Sequence, residues 1–412
     1  MKQTIALTAL LSLAFTLAAN DWQNWRGPNY NGATEAKGLP VKFSKTENIA
    51  WSTPMPGPSA ATPIILGDRI FLTAAHIENA RSGKGRLLAM CLDRKSGKIL
   101  WERNAGSGYR PKGDGADYRL DNRTNYASPS PVTDGEVVVF FFGNGDLVAY
   151  TMKGDLIWRR NIQKDYGDFT FQWTFASTPT LFENKLYLPV LQRNEPVHGR
   201  GKANNPSFIL AMNPKNGETL WKHIRPSEAN KESLESFGTI IPHNGELVIA
   251  GGDVLTGHDP LTGKENWRWG TWNPGHREQW WRLVPSPVIG DGVVLVCAPK
   301  RQPVYAIQPG KGTKLVWKSE GQISRNKDVL TSDVCTPLFY MGKFFVVYGE
   351  HARDKTIAAC EPKTGKILWT TDLTTSYRGS RALVRCSPTA ADGKIYLQNH
   401  GGETYVIEAK SG

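Results

Sequence analysis

Cysteine is scarce in this chain, and no two cysteines are adjacent in the sequence. The 412 residues include five, which are too few and too scattered for a disulfide framework and match no zinc-site spacing. We expect small, buried, apolar side chains at all five positions, which are Cys91, Cys297, Cys335, Cys360 and Cys386. Cys335 and Cys386 each precede a Thr-Pro or Ser-Pro pair, so a bridge between these two is the alternative in an oxidising compartment.

Long hydrophobic runs are also missing, except at the N-terminus. Lys2 precedes an apolar stretch over residues 5–18, and small residues follow it. This pattern predicts a secretory signal peptide over residues 1–19, with an uncleaved membrane anchor as the alternative. No cysteine stands at the junction to carry a lipid. We therefore expect a periplasmic or secreted monomer with no transmembrane segment.

Negative charge is in short supply. Lys and Arg number 50 against 38 Asp and Glu, which gives a net charge of +12. Such an excess favours acidic partners such as an acidic glycan, an envelope protein or a peptide, and an exported protein has little access to nucleic acid.

Tryptophan, by contrast, recurs along the chain at intervals of 46 to 63 residues. This period is typical of one four-stranded blade with its connections. In six of the seven copies, the Trp ends a segment that contains a turn-forming Gly. The repeat tryptophans are Trp51, Trp101, Trp158, Trp221, Trp267, Trp317 and Trp369.

The copies predict the order of strands within each blade. Asp, Asn or Glu opens a tight hairpin whose Gly takes a positive φ, as at Gly97 and Gly217. A Thr-Pro or Ser-Pro pair upstream predicts the start of an inner strand, because proline is tolerated where no ladder donor is required. The fourth copy departs, with Ile241-Pro242 in the place of that pair.

The sequence therefore predicts an all-β, seven-bladed β-propeller of four-stranded antiparallel blades over residues 48–412. The last copy ends at Gly412, at the point where the strand that carries its Trp would begin. We therefore expect the segment around Trp51 to pair with the last blade and close the ring. Residues 20–47 are expected to form an irregular leader. An eighth blade built from them is the alternative.

The longest connections all fall on one face of the predicted ring, which is where function usually resides. They are rich in arginine, lysine and aromatic residues, a mixture that suits a sugar or a polyanion. Residues next to the inner strands are candidate ligand-binding residues, and their acidic and basic members are alternatively simple ion pairs. They are Arg123, Trp173, Glu235, Trp281, Arg282, Asp333 and Arg385.

Copies of the form Asp-x-x-Thr-Gly-x-x-x-Trp, as in 259–267, resemble the repeat of the pyrroloquinoline-quinone-like, or BamB-like, propellers. The resemblance covers about residues 48–412. It implies that each repeat Trp docks between blades. The family contains quinone-dependent dehydrogenases and a non-enzymatic scaffold of outer-membrane assembly. The adjacent cysteine pair of the enzymes is absent here, and we find no match to their calcium and catalytic carboxylate motifs.

These observations favour an exported binding or scaffold protein with no cofactor, no metal and no catalytic residue. A quinone-dependent dehydrogenase holding pyrroloquinoline quinone and calcium is the alternative. A third hypothesis, a glycan-cleaving enzyme, requires two carboxylates that face each other across the channel mouth, and Glu235 and Asp333 are the candidates for them.

Overall fold

The computed structural model describes residues 21–79, 84–106, 108, 125–320, 330–351 and 355–412. The predicted signal peptide and Arg123 lie outside these residues. The strands form seven antiparallel sheets, and within each sheet they follow one another in chain order. This is the arrangement of a seven-bladed β-propeller, so the predicted fold class and blade number are confirmed.

The first four blades each contain four strands. Their strands are, in blade 1, β1 (Ile64–Leu66), β2 (Arg69–Asn79), β3 (Lys84–Asp93) and β4 (Ile99–Asn104); in blade 2, β5 (Val132–Thr133), β6 (Val137–Phe141), β7 (Asp146–Thr151) and β8 (Leu156–Asn161); in blade 3, β9 (Thr180–Phe182), β10 (Lys185–Val190), β11 (Phe208–Met212) and β12 (Thr219–Ile224); and in blade 4, β13 (Ile241–His243), β14 (Glu246–Gly251), β15 (Val254–His258) and β16 (Glu265–Gly270).

Blades 5 and 6 repeat this plan, whereas blade 7 has three strands. Their strands are, in blade 5, β17 (Val288–Gly290), β18 (Val293–Cys297), β19 (Val304–Gln308) and β20 (Lys314–Lys318); in blade 6, β21 (Leu338–Tyr340), β22 (Lys343–Tyr348), β23 (Thr356–Cys360) and β24 (Ile367–Asp372); and in blade 7, β25 (Thr389–Ala391), β26 (Lys394–Gln398) and β27 (Thr404–Glu408).

Helices are short and lie in the connections. One α-helix, α1 (Ile162–Tyr166), follows blade 2, and 3-10 turns span Lys231–Leu234, Pro274–His276 and Gly379–Ala382. Within the described residues, no helix is long and apolar enough to cross a membrane.

The middle strands of the blades supply the core. All five residues of β11 are buried, whereas the outer strand β12 beside it alternates between exposed and half-buried residues. Apolar side chains of neighbouring blades pack between the sheets; one such cluster joins Phe71 of blade 1 to Phe140 of blade 2. This pattern explains why the inner runs read as almost continuous apolar segments.

The antiparallel order gives the ring two different faces. One face, the tight-turn face, carries the turns between the first and second strands and between the third and fourth strands of each blade. The other, the long-loop face, carries the remaining connections, such as 161–180, 224–241 and 270–288.

The repeat tryptophans lock each blade onto the next hairpin. The indole of Trp158 in blade 2 packs against Gly217 of blade 3, and its Nε1 donates to the Pro214 carbonyl at 2.8 Å. Equivalent indole hydrogen bonds run from Trp51, Trp101, Trp221 and Trp317 to the carbonyls of Arg94, Met152, Pro260 and Pro362.

Trp267 departs from this rule. Its indole lies over Gly257 of its own blade, and Nε1 donates to Glu246 at 2.6 Å. The next hairpin, in blade 5, is the copy that the sequence makes one residue longer, and a Cβ at its Gly310 or Gly312 would meet nothing within 4 Å. We infer that the irregular hairpin provides no glycine surface on which the indole can pack.

A chain of hydroxyl groups links the starts of the inner strands. In each of blades 1 to 6, a Ser or Thr backbone N–H donates to the hydroxyl of the equivalent residue in the next blade, at 2.8 to 3.3 Å. The residues, in order, are Thr62, Ser130, Thr178, Thr239, Ser286, Thr336 and Ser387. This hydrogen bond explains the Ser or Thr of each pair. The proline is tolerated because no ladder donor is required at its position.

The predicted alignment of the fourth copy on Ile241-Pro242 is wrong by two residues. Ile241 pairs with Val248 in blade 4 as Ile64 pairs with Phe71 in blade 1, so Ile241 and Ile64 are equivalent. The two residues before Ile241, Thr239-Ile240, therefore occupy the position of the Ser/Thr-Pro pair. The Thr239 hydroxyl is retained while the proline is not.

The predicted closure of the ring is also wrong. The segment around Trp51 forms no strand with blade 7, whose sheet ends at β27. Trp51 packs instead on Gly97 of blade 1, where Thr53 also donates to the Gly97 carbonyl at 2.7 Å. The indole therefore takes the docking position of a repeat Trp without its strand joining the sheet.

The leader joins the first and last blades instead. Trp22 exchanges two backbone hydrogen bonds with Ile65 of β1, each 2.8 Å long. Further along, Ala33 pairs with Ala390 of β25, and the Thr34 N–H donates to the Ala390 carbonyl at 3.0 Å. The hydroxyl chain described above runs from blade 1 round to blade 7, and the leader bridges the junction where its two ends meet.

The cysteines are all free thiols in the structure. Four of them are buried, as expected, whereas Cys386 is exposed. Cys335 and Cys386 form no disulfide bond here, so the bridge proposed as an alternative is not present.

The docking of the indoles makes a prediction about two glycines that have nearly the same backbone conformation. Gly217 (φ 76°) and Gly245 (φ 75°) both need positive φ, but only a Cβ at Gly217 would meet the Trp158 indole, at 2.7 Å. We expect Gly245→Ala to lower the free energy of unfolding by about 1 kcal/mol through backbone strain alone. Gly217→Ala should lower it by about 3 kcal/mol, since the indole must also move.

Urea unfolding followed by tryptophan fluorescence would measure both changes. Equal losses of stability in the two variants would contradict the proposed role of the indole contact.

Candidate functional site

The candidate residues of blades 3 to 5 come together on the long-loop face. Connections 161–180, 224–241 and 270–288 lead into the inner strands β9, β13 and β17. Backbone pairing holds these connections side by side: Ser236 bridges to Leu191 on one side and to Leu283 on the other. The loops therefore have a fixed relation to the rigid blades beneath them. We call the side chains Trp173, Arg193, Lys231, Glu235, Trp280 and Arg282 the Trp280 patch.

Glu235 is the buried anchor of this patch. Its side chain is fully buried, and Oε1 accepts hydrogen bonds from Arg193 Nε and, at 2.9 Å, from the Gln172 backbone N–H. Oε2 is buried and has no hydrogen-bond partner among the described residues. Burial raises the pKa of Glu235 to about 8, although the Arg193 guanidinium and the Gln172 amide act in the opposite direction.

Arg193 connects this buried acid to the surface. Besides its bond to Glu235, its Nη2 donates to Gln172 Oε1 at 3.2 Å. Its guanidinium carbon lies 6.0 Å from the ring centroid of Trp280, and the Lys231 ammonium lies 5.5 Å from the same ring. Trp280 is 54% exposed. An indole in contact with two cations is thus presented to solvent.

A second pair of a cation and an aromatic ring lies beside the first. The guanidinium carbon of Arg282 is 6.0 Å from the ring centroid of Trp173, and Nη1 is 3.6 Å from Glu232 Oε1. These contacts bring together three of the predicted residues, Trp173, Glu235 and Arg282.

Trp281 plays a different part from the one predicted. It is half-buried and packs against a core cluster that contains Trp272 and Leu283. Its backbone N–H donates to Ser233 Oγ at 2.9 Å. Its neighbour Trp280 is the exposed member of the pair.

Asp333 and Arg385 are not part of this patch in any described contact. Asp333 Oδ1 accepts the Lys300 N–H at 2.8 Å, and Arg385 binds Glu350 through Nε and Nη2 at 2.8 to 3.1 Å. For Arg385 the structure therefore agrees with the simple ion-pair alternative. Since Glu235 is buried and bonded to Arg193, it has no access to a substrate as a partner for Asp333. The structure does not support glycan cleavage by these two carboxylates.

Metal-ligating side chains do not cluster in the described ranges. There, no group of three or more His, Cys, Asp or Glu residues is placed to hold a metal ion. His276, for example, is engaged by Asp253 at 3.1 Å and by Glu228 at 3.3 Å.

The buried carboxyl of Glu235 predicts a pH dependence of stability. An acid whose pKa is higher in the folded than in the unfolded chain stabilises the fold at low pH, and this contribution is lost as the pH rises. For Glu235 the loss begins near the ordinary glutamate value of 4.5 and extends through about 8. Relative to Glu235→Gln, the wild-type protein should lose at least ~1 kcal/mol of unfolding free energy between about pH 5 and pH 8.

Denaturant unfolding of both proteins across that range would measure the difference. Glu136→Gln is the control, because Glu136 is an exposed acid on the tight-turn face, paired with Lys215 at 2.7 Å. Parallel pH profiles for wild type and Glu235→Gln would show that Glu235 does not titrate in this range.

Solved structures similar to this chain include two dehydrogenases and a BamB protein. A europium-containing methanol dehydrogenase is 12% identical, with a TM-score of 0.67 over 95% of this chain and 84% of its own. A quinohemoprotein alcohol dehydrogenase from Pseudomonas putida is 12% identical, with a TM-score of 0.65 over 95% and 71%. BamB from Moraxella catarrhalis is 14% identical, with a TM-score of 0.56 over 88% and 86%. At these identities the likeness concerns the fold.

Comparison of sequences identifies a protein family whose model matches the chain. No curated protein sequence matches the chain. The family model described as outer membrane protein assembly factor BamB matches residues 33–188, 170–335 and 300–412. Because these matches together span the whole propeller, the chain belongs to this family of BamB-like repeat propellers.

Proposed function

We propose that this protein is an exported binding or scaffold propeller, periplasmic or secreted, that uses its long-loop face to hold an acidic glycan, a polyanion or an envelope protein. The observation that carries the proposal is the solvent-exposed indole of Trp280 in contact with the cations of Arg193 and Lys231. Large aromatic and arginine side chains supply most of the energy at binding surfaces.

The patch is organised before any ligand arrives. Arg193 is held by Glu235 and Gln172, and Arg282 is held near Glu232 and Trp173. Side chains that are already ordered lose little conformational entropy on binding, so more of the contact energy appears as affinity.

The charge of the chain agrees with an acidic ligand. The net charge is +12, and the patch contributes the exposed or half-buried cations Lys231 and Arg282. A basic surface increases the rate of encounter with an anionic partner and makes the binding sensitive to salt.

Removal of the exposed indole tests the proposal. Trp280→Ala should weaken binding to a polyanion such as dextran sulfate about tenfold, because it removes the aromatic contact and frees the two cations above it. Arg282→Ala should weaken it by a similar factor. Biolayer interferometry with the protein lacking residues 1–19, at low and high salt, would measure both.

Two controls separate the patch from general effects. Leu261→Ala removes a side chain that is 65% exposed on the tight-turn face and should leave binding unchanged. Trp281→Ala should affect stability as well as binding, since Trp281 packs into the core. Binding that resists salt and is unaffected by Trp280→Ala and Arg282→Ala would count against the proposal, and a panel of acidic glycans and purified envelope proteins would then identify the preferred class.

A quinone titration tests the alternative function. The binding proposal predicts no dye reduction when pyrroloquinoline quinone and calcium are added to the protein, and no change in melting temperature at saturating cofactor. A rise in melting temperature together with electron transfer to the dye would replace the proposal with a dehydrogenase.

A further inference from the structure

The leader crosses the central channel at the tight-turn face. Besides its pairing with blades 1 and 7, it reaches blades 3 and 6: Tyr30 Oη donates to the Leu181 carbonyl at 2.8 Å, and the Asn31 carbonyl accepts the Phe339 N–H at 3.1 Å. Both partners lie on inner strands, which surround the axis of the ring. A segment bonded to blade 3 on one side and to blades 6 and 7 on the other lies across that axis.

Arg26 projects from this segment into the protein interior. Arg26 is 2% exposed. Its Nη2 donates at 3.1 Å to the carbonyl of Pro337, the residue just before the inner strand of blade 6. Gly32 lies against the guanidinium, where a Cβ would be 2.0 Å from Nη2, and its N–H donates to the Arg26 carbonyl at 2.9 Å. The loop 26–32 therefore holds the side chain in one position.

The described part of the chain compensates the charge of Arg26 only in part, through the ring of Trp25, whose centroid lies 5.8 Å from the guanidinium carbon. A guanidinium has five N–H donors, and Arg26 uses one of them; its Nε is buried with no hydrogen-bond partner. No Asp or Glu among the described residues forms an ion pair with it. Burial lowers the pKa of Arg26 to about 10, although the neighbouring thiols of Cys386 and Cys335 act in the opposite direction.

Two other buried arginines show how unusual this is. Arg225 is also 2% exposed, but each of its three nitrogens donates a hydrogen bond, to Thr256 Oγ1 and to the carbonyls of Gly251 and Val254, at 2.8 to 3.0 Å. Arg193 donates to Glu235 and to Gln172. Arg26 has one hydrogen bond and one aromatic contact, which replace only part of the hydration that burial removes, so its burial is costly.

A residue near Arg26 reaches solvent. Cys386, whose thiol acts on the pKa of Arg26, is exposed although it lies directly before the inner strand of blade 7. The connection that carries Cys386 belongs to the long-loop face, so this exposed residue lies at the long-loop end of its inner strand.

We propose that the channel contains a binding site for a small free oxyanion, a carboxylate or a phosphate, in which the unused donors of Arg26 hold the anion. The site is separate from the Trp280 patch and does not depend on the function proposed for that patch. An anion here would supply both the counter-charge and the hydrogen-bond acceptors that the protein lacks.

Calorimetric titration of the wild-type protein tests the site directly. Sodium phosphate and sodium acetate, at ionic strength held constant with chloride, are the probes. We expect saturable binding of at least one of them, weakened tenfold or more by Arg26→Gln and unchanged by Arg277→Gln, which removes an exposed arginine. The two probes distinguish a phosphate from a carboxylate site. Equal binding by wild type and Arg26→Gln would overturn the proposal.

A crystal of the wild-type protein soaked in selenate provides a readout that needs no variant. We expect an anomalous selenium peak within hydrogen-bonding distance of the Arg26 guanidinium. Absence of that peak, together with no saturable binding of phosphate or acetate, would overturn the proposal even if Arg26→Gln failed to fold.

Discussion

The packing of an indole against the hairpin glycine of the following blade is the contact on which this ring depends. Each blade is a separate sheet, and among the strands that the structure describes no ladder hydrogen bonds join one blade to its neighbour. Trp158 on Gly217 shows how the junction is made instead, by a flat ring on a backbone without a side chain and one hydrogen bond from Nε1. The hydroxyl chain from Thr62 to Ser387 adds a second set of links nearer the axis.

The sequence predicts this architecture well because its determinants are local. The spacing of Trp, Gly and Ser/Thr-Pro is a property of single blades, so the blade number and the positive φ of Gly97 and Gly217 could be derived from it. Closure of the ring depends on contacts between segments some 350 residues apart, such as Thr34 with Ala390. A repeat pattern holds no information about them, and Trp51 carries the docking signal of a repeat without the strand that normally accompanies it.

The candidate site was predictable only in part, for a similar reason. Counting back from the inner strands located Trp173 and Glu235, and the basic composition of the long loops pointed to Arg282. The partners that give these residues their properties come from other loops: Arg193 lies 42 residues before Glu235. Neither the burial of Glu235 nor the exposure of Trp280 beside the half-buried Trp281 follows from composition, since both depend on how three loops settle together.

The leader has one more consequence for the kind of molecule this propeller can handle. A segment bonded to blade 3 on one side and to blades 6 and 7 on the other obstructs the axis of the ring at the tight-turn face. Passage of a polymer along that axis would require the leader to give up these hydrogen bonds.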